Sequence, residues 1–478
     1  MQILKNFLYN LSYQILVLIL PLITVPYVSK VLGAKGVGDY AFTFANTQYF
    51  ILFGMVGVTL YGNRQIAYVR DNKEKLKNTF YSIYLVQLIT MTISSVIFLI
   101  FTFTFTDKLY SFLYLAQGVN ILASLIDISW LFMGLEQFKK TVVRNTIVKL
   151  VSLASIFIFV KGIDDLVVYT LILALANLLG NLTFWLYIPK TIGFEKIRVN
   201  ALKVHLKASI ALFIPQIAIQ VYLLLSRTLL GIFTDTIQVG YYDNSQKLVK
   251  IALTVATAIG TVMMPKIANT VASGDMNKVK YYIKNSFFFM NFISVPLTFG
   301  VLGIAKELSP WFFGKEFEGI ETLIIISCLI ILAISWSNVF GTQLLVPLNK
   351  TKEFTLSVTA GAIVNLVLNL ILLKVMGSIG ACITTVLAEI TVTITQMYIL
   401  RKFLNMKELI KSVIIFFPAA ILMFILVRVI GIAMGAQIVT TFAQVSIGGV
   451  FYLITLFILY KVIYKKNIII YIKNMIKK

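Results

Sequence analysis

About fourteen runs of mainly apolar residues, most of twenty or more, follow one another along the chain. No other feature constrains its fold as strongly, because a soluble domain has too little interior to hide them all. A helix rising 1.5 Å per residue crosses the ~30 Å hydrocarbon core in ~20 residues. Lipid offers backbone groups no partner, so each run must satisfy its own hydrogen bonds, and the alternating pattern of a transmembrane barrel is absent. With 59% hydrophobic and 13% charged residues, the composition excludes a set of soluble domains, and an all-α polytopic membrane protein is expected. The runs lie at about 7–32, 38–62, 78–104, 108–134, 141–160, 165–188, 207–232, 238–265, 280–305, 321–348, 354–374, 378–400, 409–431 and 437–460. The first contains Pro21 and Pro26, exceeds a signal-peptide core and has no small-residue cleavage site behind it, so it reads as a retained span.

Cys328 and Cys382 lie inside apolar runs and His205 is the single histidine, so neither a disulfide framework nor a Cys/His metal site can be assembled. No catalytic group and no cofactor are expected. The formal net charge of +23 would suggest nucleic acid in a soluble protein, but here the positions of the bases decide. With the N-terminus inside, clusters such as Arg64, Arg70, Lys73, Lys75 and Lys77, or Lys278, Lys280 and Lys284, face the cytoplasm, as do Lys196, Arg198 and the basic C-terminal tail. Of the 42 bases the outer side takes only Lys30, Lys35, Lys108, Lys161, Lys306, Lys315 and Lys374. The positive-inside rule therefore orients the chain with both termini cytoplasmic, since the number of runs is even. The bilayer is the expected partner, not nucleic acid.

The first two runs meet in Pro26-Tyr27-Val28-Ser29-Lys30-Val31-Leu32-Gly33, a turn that leaves through Gly38-Asp39-Tyr40, and a related pattern returns some two hundred residues on. There Ser226-Arg227-Thr228-Leu229-Leu230-Gly231 leads to Val239-Gly240-Tyr241-Tyr242; Ile128-Ser129-Trp130 likewise recurs as Ile334-Ser335-Trp336. Copies six runs apart with the same inside/outside sense imply parallel repeats. Two six-helix lobes related by a pseudo-two-fold along the membrane normal are expected, at 1–206 and 207–402, with two extra helices and a basic tail at 403–478.

The opening residues from Pro21 to Gly33, with Gly38-Asp39-Tyr40, Tyr49-Phe50 and Tyr61-Gly62-Asn63-Arg64-Gln65-Ile66-Ala67, resemble the polysaccharide transport family, the Wzx-type flippases of the multidrug/oligosaccharidyl-lipid/polysaccharide exporter superfamily. Gly134-Leu135-Glu136-Gln137-Phe138-Lys139, Arg144-Asn145, Tyr241-Tyr242-Asp243 with Lys247, Met264-Pro265, Asn365 with Asn369, and Gly377 with Gly380-Ala381 extend the likeness over essentially the whole chain. The resemblance implies a flippase that carries undecaprenyl-pyrophosphate-linked oligosaccharide repeat units to the outer leaflet of a bacterial cytoplasmic membrane for capsule or O-antigen assembly. Position 30 often carries arginine in that family; lysine keeps the charge without the planar fork.

Lys247 falls near the middle of the eighth run, where a base costs roughly 2.5–3.5 kcal/mol on insertion scales. Asp243, Lys247, Lys250 and Thr254 share one helix face, a polar ridge suited to anion binding; the alternative is an ordinary i,i+4 pair of Asp243 with Lys247. Aligning the copies sets Ala45 and Gln48 opposite Lys247 and Lys250, so the binding charge is asymmetric. Arg227 and the shallower Lys30 are further substrate-binding candidates, with snorkelling as the alternative. Arg428 reads as an interfacial anchor. Asp127 and Glu389, acids within apolar runs, serve ion or proton coupling or else neutralise nearby bases. Asn365 and Asn369 read as interhelical hydrogen bonds.

A lipid-linked oligosaccharide flippase working by alternating access around a cationic cavity is therefore the leading expectation. It is driven by an ion gradient or the membrane potential, if coupled at all, and other polysaccharide-assembly membrane proteins are possible partners. A multidrug exporter of the same superfamily is the alternative, although a cation exporter would favour acids in its cavity. A glycosyltransferase or polymerase fits less well, because the largest outer loop, Lys306 to Ile320, is too short for a sizeable extramembrane site.

Overall fold

Each apolar run closes its own backbone hydrogen bonds, and the computed structural model is helical throughout, with no strand among the described residues. It describes residues 2–193 and 202–464, apart from the side chains of 2–17 and of a few positions within helices. The basic tail of 465–478 and the bases Lys196 and Arg198 lie outside the described residues. In order, the helices are α1 (Gln2–Met55), α2 (Val58–Val69), α3 (Lys73–Phe105), α4 (Lys108–Leu125), α5 (Ser129–Gly134), α6 (Phe138–Phe159), α7 (Leu166–Trp185), α8 (Ile188–Thr191) and α9 (Leu202–Phe233). Then follow α10 (Thr236–Ala272), α11 (Met276–Phe313), α12 (Ile320–Ser327), α13 (Leu329–Ser337), α14 (Thr351–Leu400), α15 (Met406–Val413), α16 (Phe416–Met434) and α17 (Ile438–Tyr464).

Two of these are pairs of helices joined at a glycine. Gly33 (φ 66°, ψ −178°) kinks α1, and Gly377 (φ 53°, ψ −131°) kinks α14; both conformations are costly for a residue with a Cβ. Among the described residues ten helices are long and apolar enough to span a membrane, or eleven if the bent pair Thr236–Ala258 and Met263–Ala272 counts as one. Dividing α1 and α14 at their glycines brings the number close to the expected fourteen.

Several expected runs are interrupted. The second breaks at Val56 (φ 44°) and Gly57 (φ 74°), and the fourth between Leu125 and Ser129. The tenth is α12 and α13 followed by a wide π turn, Asn338–Leu345. Apolar periodicity is blind to such breaks, because the interrupting residues are themselves mostly apolar.

The chain divides into two compact units, Met1–Gly231 and Ile232–Lys478. In the first, Phe80, Trp130, Phe132 and Phe184 are fully buried, and α2 approaches so closely that a Cβ on Gly62 would lie 2.5 Å from the Trp130 ring. In the second, Phe287, Phe340, Phe416 and Tyr452 anchor the core. Arg428, expected as an interfacial anchor, is also held by partners inside the second unit. Its Nη1 meets Glu307 Oε2 at 2.7 Å and donates to the Gly303 carbonyl at 3.1 Å, while Gln444 Nε2 donates to the same carboxylate at 3.3 Å. A buried acid on α11 thereby ties down both α16 and α17, a partner that distance in sequence conceals.

Candidate functional site

Asp235 caps α10 by accepting the Gln238 N–H at 2.9 Å, which sets the phase of the helix that carries the basic ridge. From that start Asp243, Lys247 and Lys250 fall on one face. Asp243 is buried and its Oδ2 lies 2.7 Å from Lys247 Nζ; the Lys247 side chain is about one-third exposed, and Lys250 is exposed. The i,i+4 pair read as the alternative is therefore formed. It does not remove the ridge, because Lys247 stays about one-third exposed and Lys250 is exposed on the same face. The buried carboxylate holds Lys247 in one place, and Lys250 lies exposed on the same face one turn of helix on.

Behind the ridge, neutral polar groups hold α10 to its neighbours. Gln246 Nε2 donates to Ser327 Oγ at 2.9 Å, and Tyr242 shares a 2.9 Å hydrogen bond with Thr385. Asn365 and Asn369 hydrogen-bond within α14 as packing groups: Asn369 Nδ2 donates to Asn365 Oδ1 at 2.9 Å and Thr384 Oγ1 to Asn369 Oδ1 at 2.8 Å.

Lys30 and Arg227 lie in the first unit, and Lys247 and Lys250 in the second. Lys30 is exposed, three residues before the Gly33 kink. Arg227 is half-buried in α9 with Tyr49 as a neighbour. Next to it, Thr228 Oγ1 donates to Asn46 Oδ1 and Asn46 Nδ2 to Tyr114 OH, both at 2.8 Å, so that three helices meet in one polar chain. Sequence reasoning missed this chain; its faint signal was the polar pair Asn46 and Thr228 inside runs otherwise apolar.

Asp127 sits in the break between α4 and α5, not within a continuous helix, where its Oδ1 accepts the Ser129 N–H at 2.9 Å. Gln87 Nε2 secures the same break by donating to the carbonyls of Ser124 (2.8 Å) and Asp127 (2.9 Å). Glu389 is buried in α14, and Thr393 Oγ1 donates to its carbonyl at 3.0 Å.

Against known proteins, the family model described as "Polysaccharide biosynthesis protein" matches residues 3–271. A "Putative O-antigen transporter" of Escherichia coli (strain K12) is 24% identical over 388 residues, covering 80% of this chain and 93% of that protein. A "Probable low-salt glycan biosynthesis flippase Agl15" of Haloferax volcanii is 23% identical over 222 residues, 45% of this chain and 47% of that one. Among solved structures, "Lipid II flippase MurJ, inward closed conformation" superimposes with a TM-score of 0.79 at 15% identity, over 96% of this chain and 99% of the other.

Proposed function

Since the chain belongs to the polysaccharide biosynthesis protein family, as a Wzx-type polysaccharide flippase of the multidrug/oligosaccharidyl-lipid/polysaccharide exporter superfamily, we propose that it carries an undecaprenyl-pyrophosphate-linked oligosaccharide repeat unit from the inner to the outer leaflet of a bacterial cytoplasmic membrane. The product would feed capsule or O-antigen assembly. The observation that carries this reading is the ridge of α10, where Asp243 positions Lys247 and Lys250 adds an exposed charge. A pyrophosphate cannot cross hydrocarbon bare, because desolvating an ion costs far more than thermal energy, so fixed cations must replace its water. Arg227 and Lys30, in the first unit, are the further cationic candidates. Asp127 and Glu389 are the coupling candidates if an ion gradient drives the cycle.

Native mass spectrometry of the purified protein tests the reading: a co-purifying polyprenyl-pyrophosphate oligosaccharide is expected, and an organic cation in its place would restore the exporter alternative. The proposed orientation is checked with single cysteines in a background lacking Cys328 and Cys382. An impermeant maleimide is expected to label position 319 and not 277 in intact cells, and the reverse pattern would invert the topology.

A further inference from the structure

The first unit holds a cleft that the pyrophosphate assignment leaves unused. It opens beside the break at Val56 and Gly57, measures about 430 Å³ and lies within the ~300–1,000 Å³ range of small-molecule sites. Non-helical backbone is tolerated in membrane helices only where protein or a wet cavity receives it. Here Ser209 Oγ donates to the Val56 carbonyl at 2.6 Å, and α9 packs so closely that a Cβ on Gly57 would lie 3.0 Å from Phe213. Gln48, Thr59, Asn63 and Gln220 line the cleft alongside Phe213, and among the described residues no lining side chain is charged. Among the described residues, none of those four side chains has a hydrogen-bond partner in the protein.

Amides and a hydroxyl offering both donors and acceptors next to an aromatic ring make the chemistry that recognises a polyol. Paired hydroxyls meet the amides and the C–H face of a sugar packs on the ring. An anion gains nothing here, because leaving water without a cation to meet it is unfavourable. We propose that this cleft is a sugar subsite that binds an uncharged residue of the translocated oligosaccharide. The inference rests on the flippase reading and adds to it a division of labour: Gln48, the position aligned with Lys250, reads sugar where its counterpart meets charge.

The test uses the full-length protein in nanodiscs and two probes, undecaprenyl pyrophosphate and the lipid-linked oligosaccharide extracted from the organism's own membranes. The double variant Gln48→Met with Asn63→Met is expected to weaken the glycosylated probe about tenfold, the loss of two or so hydrogen bonds, and to leave the bare carrier unchanged. Equal weakening of both probes, or of neither, overturns the proposal. If the double variant does not accumulate, Asn63→Cys in the background lacking Cys328 and Cys382 replaces it. Maleimide modification at position 63 should then be slowed by the glycosylated probe and not by the bare carrier, and any other pattern overturns the subsite. Lysine variants that leave bare-carrier binding intact would sink the pyrophosphate assignment alone.

Discussion

The two halves place similar contacts at matching positions and differ along one helix face. In the first, Trp130 Nε1 donates to Gln87 Oε1 at 3.0 Å; in the second, Trp336 Nε1 donates to Asn291 Oδ1 at 2.8 Å, from the matching helix to the matching helix. Near the other end of each copy a tyrosine closes the corresponding junction from opposite sides. Tyr110 donates to Asp39 Oδ1 at 2.8 Å, whereas Tyr241 donates to the carbonyls of Glu316 (2.9 Å) and Glu318 (3.1 Å). The helix after the opening turn is broken at Val56 and Gly57 in one copy and bent by 43° between Ala258 and Met263 in the other. By contrast Ala45 and Gln48 stand where the second copy has Lys247 and Lys250. A scaffold built twice must repeat the contacts that hold its helices together, and is free to vary positions outside them.

The second unit alone carries α16 and α17, and the largest effect is expected where they are fastened. Arg428→Ala would leave the buried Glu307 carboxylate without its cation, a loss of about 3–5 kcal/mol, seen as a pronounced drop in thermal midpoint in detergent. Replacing both partners with apolar residues should recover most of it, and an unchanged midpoint for the single variant would show that the pair fastens nothing.

Next in size is charge. Substituting Lys247 and Lys250 by glutamine should cost ~1.5–3 kcal/mol per phosphate contact and weaken undecaprenyl-pyrophosphate binding by at least one to two orders of magnitude at normal protein abundance. Arginine at both sites should partly restore binding; unaltered binding of the glutamine pair would move the site to Arg227 and Lys30.

The scaffold equivalence can be broken by Gln87→Leu and Asn291→Leu, each stranding a tryptophan N–H at about 1–3 kcal/mol. Gln87 also serves the carbonyls at the α4–α5 break, so its variant should unfold at the lower temperature, and the opposite ranking would refute the matched roles.

The smallest effect concerns a group that only the first copy has. His205 accepts or donates a 2.7 Å hydrogen bond with Tyr61, and partial burial pushes its pKa below the ordinary histidine value. Below an unfolded pKa of ~6.5 the unfolded chain then binds more protons than the folded one, so stability should fall slightly as pH drops through that window. His205→Gln should flatten the dependence of the thermal midpoint on pH.

The helical spans were legible because they rest on local spacing, apolar length above all, and so was the placing of Asp243, Lys247 and Lys250 on one helix face, bases one turn apart. The partner of Arg428 was not, since Glu307 lies on another helix and no periodicity links the two. Breaks at residues 56–57 and 126–128 escaped for a different reason, because side-chain polarity reports burial and says little about φ.

Composition and charge placement by themselves determined that this chain spans a membrane many times and which faces of its helices are polar, because lipid penalises unpaired backbone and buried charge wherever they occur. Which polar residues are spent on holding helices and which face open space was decided only in three dimensions. Asp243 fixes Lys247, Glu307 consumes Arg428, and Gln48, Thr59, Asn63 and Gln220 are left facing a cleft. A hydrogen bond or ion pair commits a group to whatever folding brings within ~3 Å of it, and linear spacing does not encode that distance across helices.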